Sequence, residues 1–245
     1  MNNNIIIIII LILLYLYERK KEDYTSIIKK EPFIKMNLHS KIAIVSIFSD
    51  LNSSNYELYT IQNYKFYANL QNYALFLHKI PLNLDLASKS EYKYQAIAKC
   101  LQQQYKYVVW LDLNTIFNNP MYCLTKLITP NKNYDIILSN TTPNLLFYSS
   151  IIIFKNTEWV KNTINKTLNT QIKNNKLNYN HVIFNVINNK NQKDINSKLK
   201  IMDKKDINPL PGRNTIKDSY ILEVNGLPLN TMIKFIQYTN EKIGT

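Results

Sequence analysis

A chain of 245 residues, 46% of them hydrophobic, can bury one sizeable α/β core and leaves little for a second domain. Its formal net charge of +13 and pI near 9.5 suit anionic partners, but the charge is scattered as lysine with few arginines, a pattern of solvated surface, so no nucleic-acid partner is expected. Two cysteines without CxxC spacing exclude a disulfide framework and speak against a zinc site, and the 3 glycines, Gly212, Gly226 and Gly244, are isolated, which excludes a Walker or Rossmann phosphate loop.

Ile5 to Tyr17 is an almost purely aliphatic run. A comfortable membrane span takes about 20 apolar residues, so residues 1–17 read as a short hydrophobic anchor or an uncleaved signal, with no small-residue cleavage site after them. Arg19, Lys20 and Lys21 follow it, and the positive-inside rule keeps such a flank, and the body with it, in the cytosol. A lumenal enzyme with a type II anchor needs the opposite bias, so the expected membrane association leaves the side open. Residues 18–40 are charged, contain Pro32 and lack a sustained apolar period, which predicts a stem; a single domain is expected over 41–245.

Ile42 to Phe48 is apolar at both parities, as in a strand covered on both faces. A polar turn follows, then a helix over Asn55–Asn72, a strand over Tyr73–His78 and a helix over Lys93–Gln104. Tyr105 to Phe117 reads as a buried strand ending abruptly in Asp112-Leu113-Asn114. Beyond it the pattern predicts a short helix over Met121–Ile128, strands over Tyr134–Ser139 and Leu145–Phe154, and helices over Thr157–Lys173 and Tyr179–Asn188. Short late strands at Lys200–Met202 and Tyr220–Val224 and a closing helix over Asn230–Lys242 complete the series. Strands alternating with helices predict a mostly parallel, Rossmann-like sheet flanked by helices, with ligands at the carboxyl ends of the strands, where Asp112 and Asn114 stand.

Side chains alternate along a strand, so Asp112 and Asn114 share a face and present two oxygens that suit a hard divalent cation. The same residues also open ordinary turns. His39, His78 and His181 do not cluster in sequence or at ligand spacing.

Trp110-Leu111-Asp112-Leu113-Asn114 with Ile116-Phe117 resembles the Trp-Trp-Leu-Asp-x-Asp-Ala-Leu-Phe signature of a retaining glycosyltransferase family of GT-A fold, which includes galactosyl-, mannosyl- and xylosyltransferases. The likeness runs from about Lys41 to Lys242. Tyr67-Ala68 and Tyr73 are similar to its Tyr-Ala-x-x-His-Gly-Tyr, with Gln71 and Asn72 in place of His-Gly. Lys93 falls at the spacing of its Trp-x-Lys lysine, with Glu91 in place of the Trp, and Lys155-Asn156-Thr157-Glu158-Trp159 is similar to its Arg-Asn-x-x-Trp. Other positions depart: Asn114 stands for the second Asp, Tyr148-Ser149-Ser150 for Asn-x-Gly, Asn180-His181 for an acidic residue and Gln, and Glu223 for the metal-binding His of Phe-x-x-His-Phe-x-Gly.

The resemblance implies a GT-A domain that moves a sugar from a nucleoside diphosphate sugar, UDP-sugar favoured, to an acceptor hydroxyl on a glycan or protein, with retention. It implies Mn²⁺ or Mg²⁺ held by Asp112, Asn114 and Glu223, whose summed charge equals that of the family's Asp, Asp and neutral His. Ser46, Phe48, Lys93, Ser149 and Ser150 would border the nucleotide and donor sugar, and Asn180 and His181 would be the catalytic residues, bordering the sugar and acceptor. The departures keep two alternatives in view: an inactive nucleotide-sugar-binding relative, and a basic protein that docks on membrane or polyanion.

Overall fold

The computed structural model describes residues 34–35, 39–49, 55–140, 150–173, 197–203 and 221–223, with single helical positions between 230 and 241. Nine strands, β1 (Ile34–Lys35), β2 (Ile42–Phe48), β3 (Ala74–Lys79), β4 (Tyr107–Leu111), β5 (Thr115–Phe117), β6 (Ile136–Asn140), β7 (Ile151–Lys155), β8 (Leu199–Asp203) and β9 (Ile221–Glu223), are described. The described helices are α1 (Asn55–Leu70), α2 (Leu86–Leu101), α3 (Leu124–Ile128) and α4 (Glu158–Lys173).

Seven strands form one sheet in the order β1-β3-β2-β4-β7-β6-β8, and β5 pairs with β9 in a small second sheet. β3, β2, β4, β6 and β8 point one way, and β1 and β7 run against them. The sheet is mostly parallel, as the alternating pattern predicts. β2 occupies its expected span because Ile-Ala-Ile-Val-Ser-Ile-Phe is buried almost throughout, and only a strand with neighbours on both edges and helices on both faces accommodates that. Ala43 and Val45 pack with Val108 and Trp110 of β4 and with Ile97 and Leu101 of α2 in the main core. Alternate residues of β2 lie on the opposite face.

Ile34 and Lys35, within the expected stem, pair antiparallel with β3. By its contacts the chain groups from Ile34 onward in one compact unit. α2 also starts earlier than expected: the Asp85 side chain accepts from the Ser88 amide at 2.7 Å and caps a helix that opens at Leu86. At the end of α1, Asn72 adopts φ 57, and the Tyr73 amide donates to the Ala68 carbonyl at 2.8 Å. Asn is the side-chain-bearing residue that tolerates this left-handed conformation best.

The expected strand over Leu145–Phe154 is described from Ile151, and its first residues lie outside the described set. The expected helix over Tyr179–Asn188 lies outside it as well. Within the expected closing helix, Asn230, Thr231, Ile233, Lys234, Gln237 and Glu241 are helical, and Gln237 donates to the Tyr59 hydroxyl of α1 at 2.7 Å.

Candidate functional site

The chain leaves β2 towards β3 on one side, then returns through α2 to place β4 on the other side of β2. Strand order therefore reverses between β2 and β4, and in open α/β sheets such a reversal opens a crevice beyond the carboxyl ends. Asp112 is the first residue past the end of β4 at that crevice. Ser46 spans the same junction: fully buried, it donates its hydroxyl to the Leu111 carbonyl at 2.7 Å. In the structure this hydroxyl clips β2 to the end of β4, its proton being used inside the sheet. Phe48, also expected at the nucleotide, ends β2 as a buried side chain, and its carbonyl accepts from the Ile80 amide at 2.8 Å.

The turn carrying Asp112 and Asn114 is held from below by α1. The Tyr64 hydroxyl lies 2.7 Å from the Asp112 carbonyl, 3.0 Å from the Thr115 carbonyl and 2.7 Å from the Thr115 hydroxyl, which itself donates to Asp112 O at 2.7 Å. Two hydroxyl protons thus serve two carbonyls in a region closed to water. Asn63 acts as a strand substitute for β5, accepting from the Phe117 amide at 2.8 Å and donating to its carbonyl at 3.1 Å. Tyr67 stacks on the Phe117 ring with centroids 3.6 Å apart. Burial drives the Tyr64 phenol well above its ordinary range, so it stays a donor at all physiological pH.

The Asp112 carboxylate is 22% exposed and turned to the α2 side. The Trp110 indole N–H donates to its Oδ1 at 2.7 Å. Lys93, from α2, places its Nζ 3.7 Å from the same oxygen and 4.6 Å from the Trp110 ring centroid. Burial lowers the Lys93 pKa and Asp112 opposes that shift. Burial, with Asp112 added, likewise holds the Tyr94 phenol protonated. Sequence spacing had put Lys93 in the site only through the resemblance; the fold brings it onto Asp112.

On the other side of β4, the Asp112 amide donates to the Ser150 carbonyl at 2.9 Å, continuing the β4–β7 register in which Leu111 faces Ile151. Ser150 is fully buried, and among the described residues its hydroxyl has no hydrogen-bond partner. Asn114 Oδ1 is likewise buried without a hydrogen bond among the described residues. Glu223 is placed by its backbone alone: its Cα pairs with Thr115, so β9 returns to the turn that carries Asp112 and Asn114. Ser149, Asn180 and His181 lie outside the described residues. His78 lies near the end of β3 beside Ile47, its pKa lowered by burial and then by Lys99.

A divalent cation fits the donors present in one specific respect. Asn114 Oδ1 is a buried oxygen with an unused lone pair, two residues from a carboxylate, and both are hard donors. Among the described residues no group of three His, Cys, Asp or Glu side chains forms a metal cluster. From among the described side chains a cation here would take the Asp112 carboxylate and the Asn114 amide oxygen, with oxygens of a bound ligand besides, in the manner of Mg²⁺ at phosphate sites.

Sequence reasoning missed Glu57. It opens α1 at the end of β2, 3.4 Å from the Ser49 hydroxyl, and burial raises its pKa against the lowering effects of Ser49 and Lys89. An acidic residue in a helix's first turn is too common a signal to mark it. The cysteines are both free, Cys100 buried as expected and Cys123 half-exposed at the start of α3.

No protein-family model matches the sequence, and no curated protein matches it. Among solved structures, a glycosyltransferase involved in the glycosylation of the major capsid of PBCV-1 superposes with a TM-score of 0.65 at 13% identity, covering 80% of this chain and 98% of that one. The chain has the GT-A fold. The glycosyltransferase GlyE of Streptococcus pneumoniae TIGR4, in its apo form, is similar with a TM-score of 0.50 and 12% identity; the match covers 84% of this chain and 64% of that one. At these identities the likeness shows the GT-A architecture. Among the described residues no helix is long and apolar enough to cross a membrane, and the expected anchor, Ile5 to Tyr17, lies outside them.

Proposed function

We propose that the protein is a glycosyltransferase that moves a sugar from a nucleoside diphosphate sugar, a UDP-sugar first among them, to an acceptor hydroxyl on a glycan or protein. The observation that carries this reading is the position of Asp112: a partly exposed carboxylate at the carboxyl end of β4, at the reversal of strand order, two residues before Asn114 with its unsatisfied amide oxygen. The motif resemblance adds retention of anomeric configuration and Mn²⁺ or Mg²⁺, and the GT-A architecture is the setting in which such a site has a donor to act on.

A divalent cation bound at Asp112 and Asn114 would offset the charge that develops on the leaving diphosphate as the sugar gains oxocarbenium character. The chain's own residues do the positioning. Trp110 fixes one carboxylate oxygen of Asp112, Tyr64 and Thr115 hold its backbone, and Lys93 supplies a cationic head within reach of phosphate oxygens at the same crevice. Because Trp110, Tyr64 and Thr115 hold Asp112 before any ligand arrives, little reorganisation of the turn opposes the reaction.

The test is a thermal-shift screen of UDP- and GDP-sugars with and without Mn²⁺, followed by hydrolysis and transfer assays on any hit. A ligand at a hundred times its Kd stabilises by about 2.7 kcal/mol, well within detection. The reading expects a Mn²⁺-dependent shift from at least one nucleotide sugar, lost in Asp112→Ala, and turnover of that sugar. Binding without turnover would make the protein a nucleotide-sugar-binding relative. Salt-sensitive polyanion binding that ignores Mn²⁺ and survives Asp112→Ala would overturn the reading.

A further inference from the structure

Lys93 is a lysine in an unusual position. Its side chain is 12% exposed, and an ammonium withdrawn from water to that degree needs compensation. Trp110 and Asp112 provide it jointly. The indole offers its electron-rich face to the ammonium, 4.6 Å from the ring centroid, and its N–H edge to Asp112 Oδ1 at 2.7 Å; that same oxygen lies 3.7 Å from Lys93 Nζ. Ammonium, indole and carboxylate form a closed triangle in which the negative charge of Asp112 is balanced by a cation the protein itself carries. Asn114, the companion residue, adds an oxygen but no charge. With Lys93 against Asp112, the local sum of the three side chains is zero.

We propose that Lys93 is the resident counter-cation of Asp112, and that a divalent ion binds only by displacing it. This rests on the proposed use of Asp112 and Asn114 as a cation site. A divalent ion coordinated to Asp112 would sit about 2 Å from the carboxylate oxygen, which leaves it and the ammonium as like charges a few ångströms apart in a partly desolvated crevice. Such contact is strongly repulsive, so the ammonium has to leave. Its four-carbon stem lets it swing without moving α2, and an incoming diphosphate offers it new acceptors. Cation and nucleotide diphosphate therefore bind together: the ion alone must evict Lys93 into solvent, whereas the ion with a diphosphate transfers Lys93 from one set of oxygens to another. Asn114 in place of a second carboxylate makes this coupling tighter, because the pair has one negative charge and Lys93 already matches it.

The experiment measures Mn²⁺ affinity in the absence of nucleotide on the full chain, with Trp110 fluorescence as the reporter in a Trp159→Phe background, since these are the 2 tryptophans. Lys93→Met and Lys93→Gln remove the charge, and Lys93→Arg keeps it. The expected result is weak Mn²⁺ binding by the parent and by Lys93→Arg, and about tenfold tighter binding by Lys93→Met and Lys93→Gln. UDP added to the parent should tighten Mn²⁺ binding, and Lys93→Met should reduce that gain. The two neutral variants serve as checks on each other should one fail to fold, and Asp112→Asn should abolish quenching in every background.

Equal Mn²⁺ affinity in the parent, Lys93→Met and Lys93→Gln would overturn the inference while leaving the cation site standing. No Mn²⁺ binding by any variant, with or without UDP, would overturn the cation site and the inference together. Normal Mn²⁺ behaviour with no response to any nucleotide sugar would leave the role of Lys93 intact and count against the transferase reading.

Discussion

Tyr64→Phe removes one oxygen atom from the buried network beneath the candidate site, and its consequence can be worked from the geometry. The Tyr64 hydroxyl is fully buried and lies within 3.0 Å of both the Asp112 and Thr115 carbonyls and 2.7 Å from the Thr115 hydroxyl. Phenylalanine keeps the ring contact with Phe117, whose centroid lies 5.8 Å away at an edge-on angle, so packing is conserved and only the hydrogen bonds are lost. One of the two hydroxyl protons serving these carbonyls disappears, while the Thr115 amide still donates to the Asp112 carbonyl at 3.0 Å; an acceptor left short here costs about 1–3 kcal/mol. For a chain of this length that corresponds to a fall in Tm of about 2–4 °C per kcal/mol. Tyr67→Phe is the internal control: its hydroxyl donates to the Tyr122 carbonyl at 2.8 Å, away from the Asp112 turn. Differential scanning calorimetry should place Tyr64→Phe below Tyr67→Phe. Mn²⁺-dependent nucleotide-sugar affinity should fall several-fold in Tyr64→Phe and hold in Tyr67→Phe. A Tyr64→Phe protein within about 0.5 kcal/mol of the parent and unaltered in affinity would refute the idea that this hydroxyl tethers the turn.

Further outcomes follow from other contacts. Ser46→Ala, which strips the 2.7 Å bond to the Leu111 carbonyl, should lower stability by about 1–3 kcal/mol in urea unfolding, with m unchanged. Glu57→Gln should raise Tm at neutral pH: burial raises the native carboxyl's pKa above its unfolded value, so ionisation costs stability as pH rises through the raised pKa. The gain should vanish in acid below the ordinary carboxylate range, as a Tm series against pH would show. Cys123, half-exposed with its pKa lowered chiefly by Thr125, should react with a maleimide in the native protein. Cys100, whose pKa burial pushes up to about 12, should react only after denaturation, and Cys123→Ser should abolish native labelling.

The elements that sequence located well are those whose burial leaves little choice of conformation. Ile42–Phe48 is the plainest instance, since an apolar run of that length covered on both faces admits a strand and little else. The first turns of α2 escaped because Ser88 and Ser90 interrupt the apolar period, although Asp85 with Ser88 was a capping signal in plain view. Asp112 and Asn114 stand out by motif likeness; the strand alternation expected of them does not reach them, because β4 ends at Leu111 and both lie in the turn that follows. The use of Ser46 does not stand out: a hydroxyl on a strand gives no sign whether it meets a ligand or a neighbouring carbonyl, and only the register of β2 on β4 decides it. The same holds for the Lys93, Trp110 and Asp112 triangle, which needs the crossing of α2 over β4 and has no signature in a chain rich in lysine. Asn63 and Tyr64, the residues that hold the turn, sit in a helix whose sequence reads as ordinary polar and aromatic packing.

The pairing of Thr115 with Glu223 has a consequence for the order in which this protein comes into being. β5 lies just after the turn that carries Asp112, yet the strand that covers its open edge is made roughly a hundred residues later. Closing a loop of that length costs about 4 kcal/mol in its length-dependent term alone, and such contacts form late. Until then the edge of β5 is anchored by Asn63, Tyr64 and Tyr67 from a helix already synthesised. A nascent chain can thus raise the central sheet and hold its acidic turn in shape long before the turn is sealed. The β5–β9 pairing closes only once residues 221–223 have been made, so a chain clipped before Ile221 should raise the central sheet with the edge of β5 left unpaired.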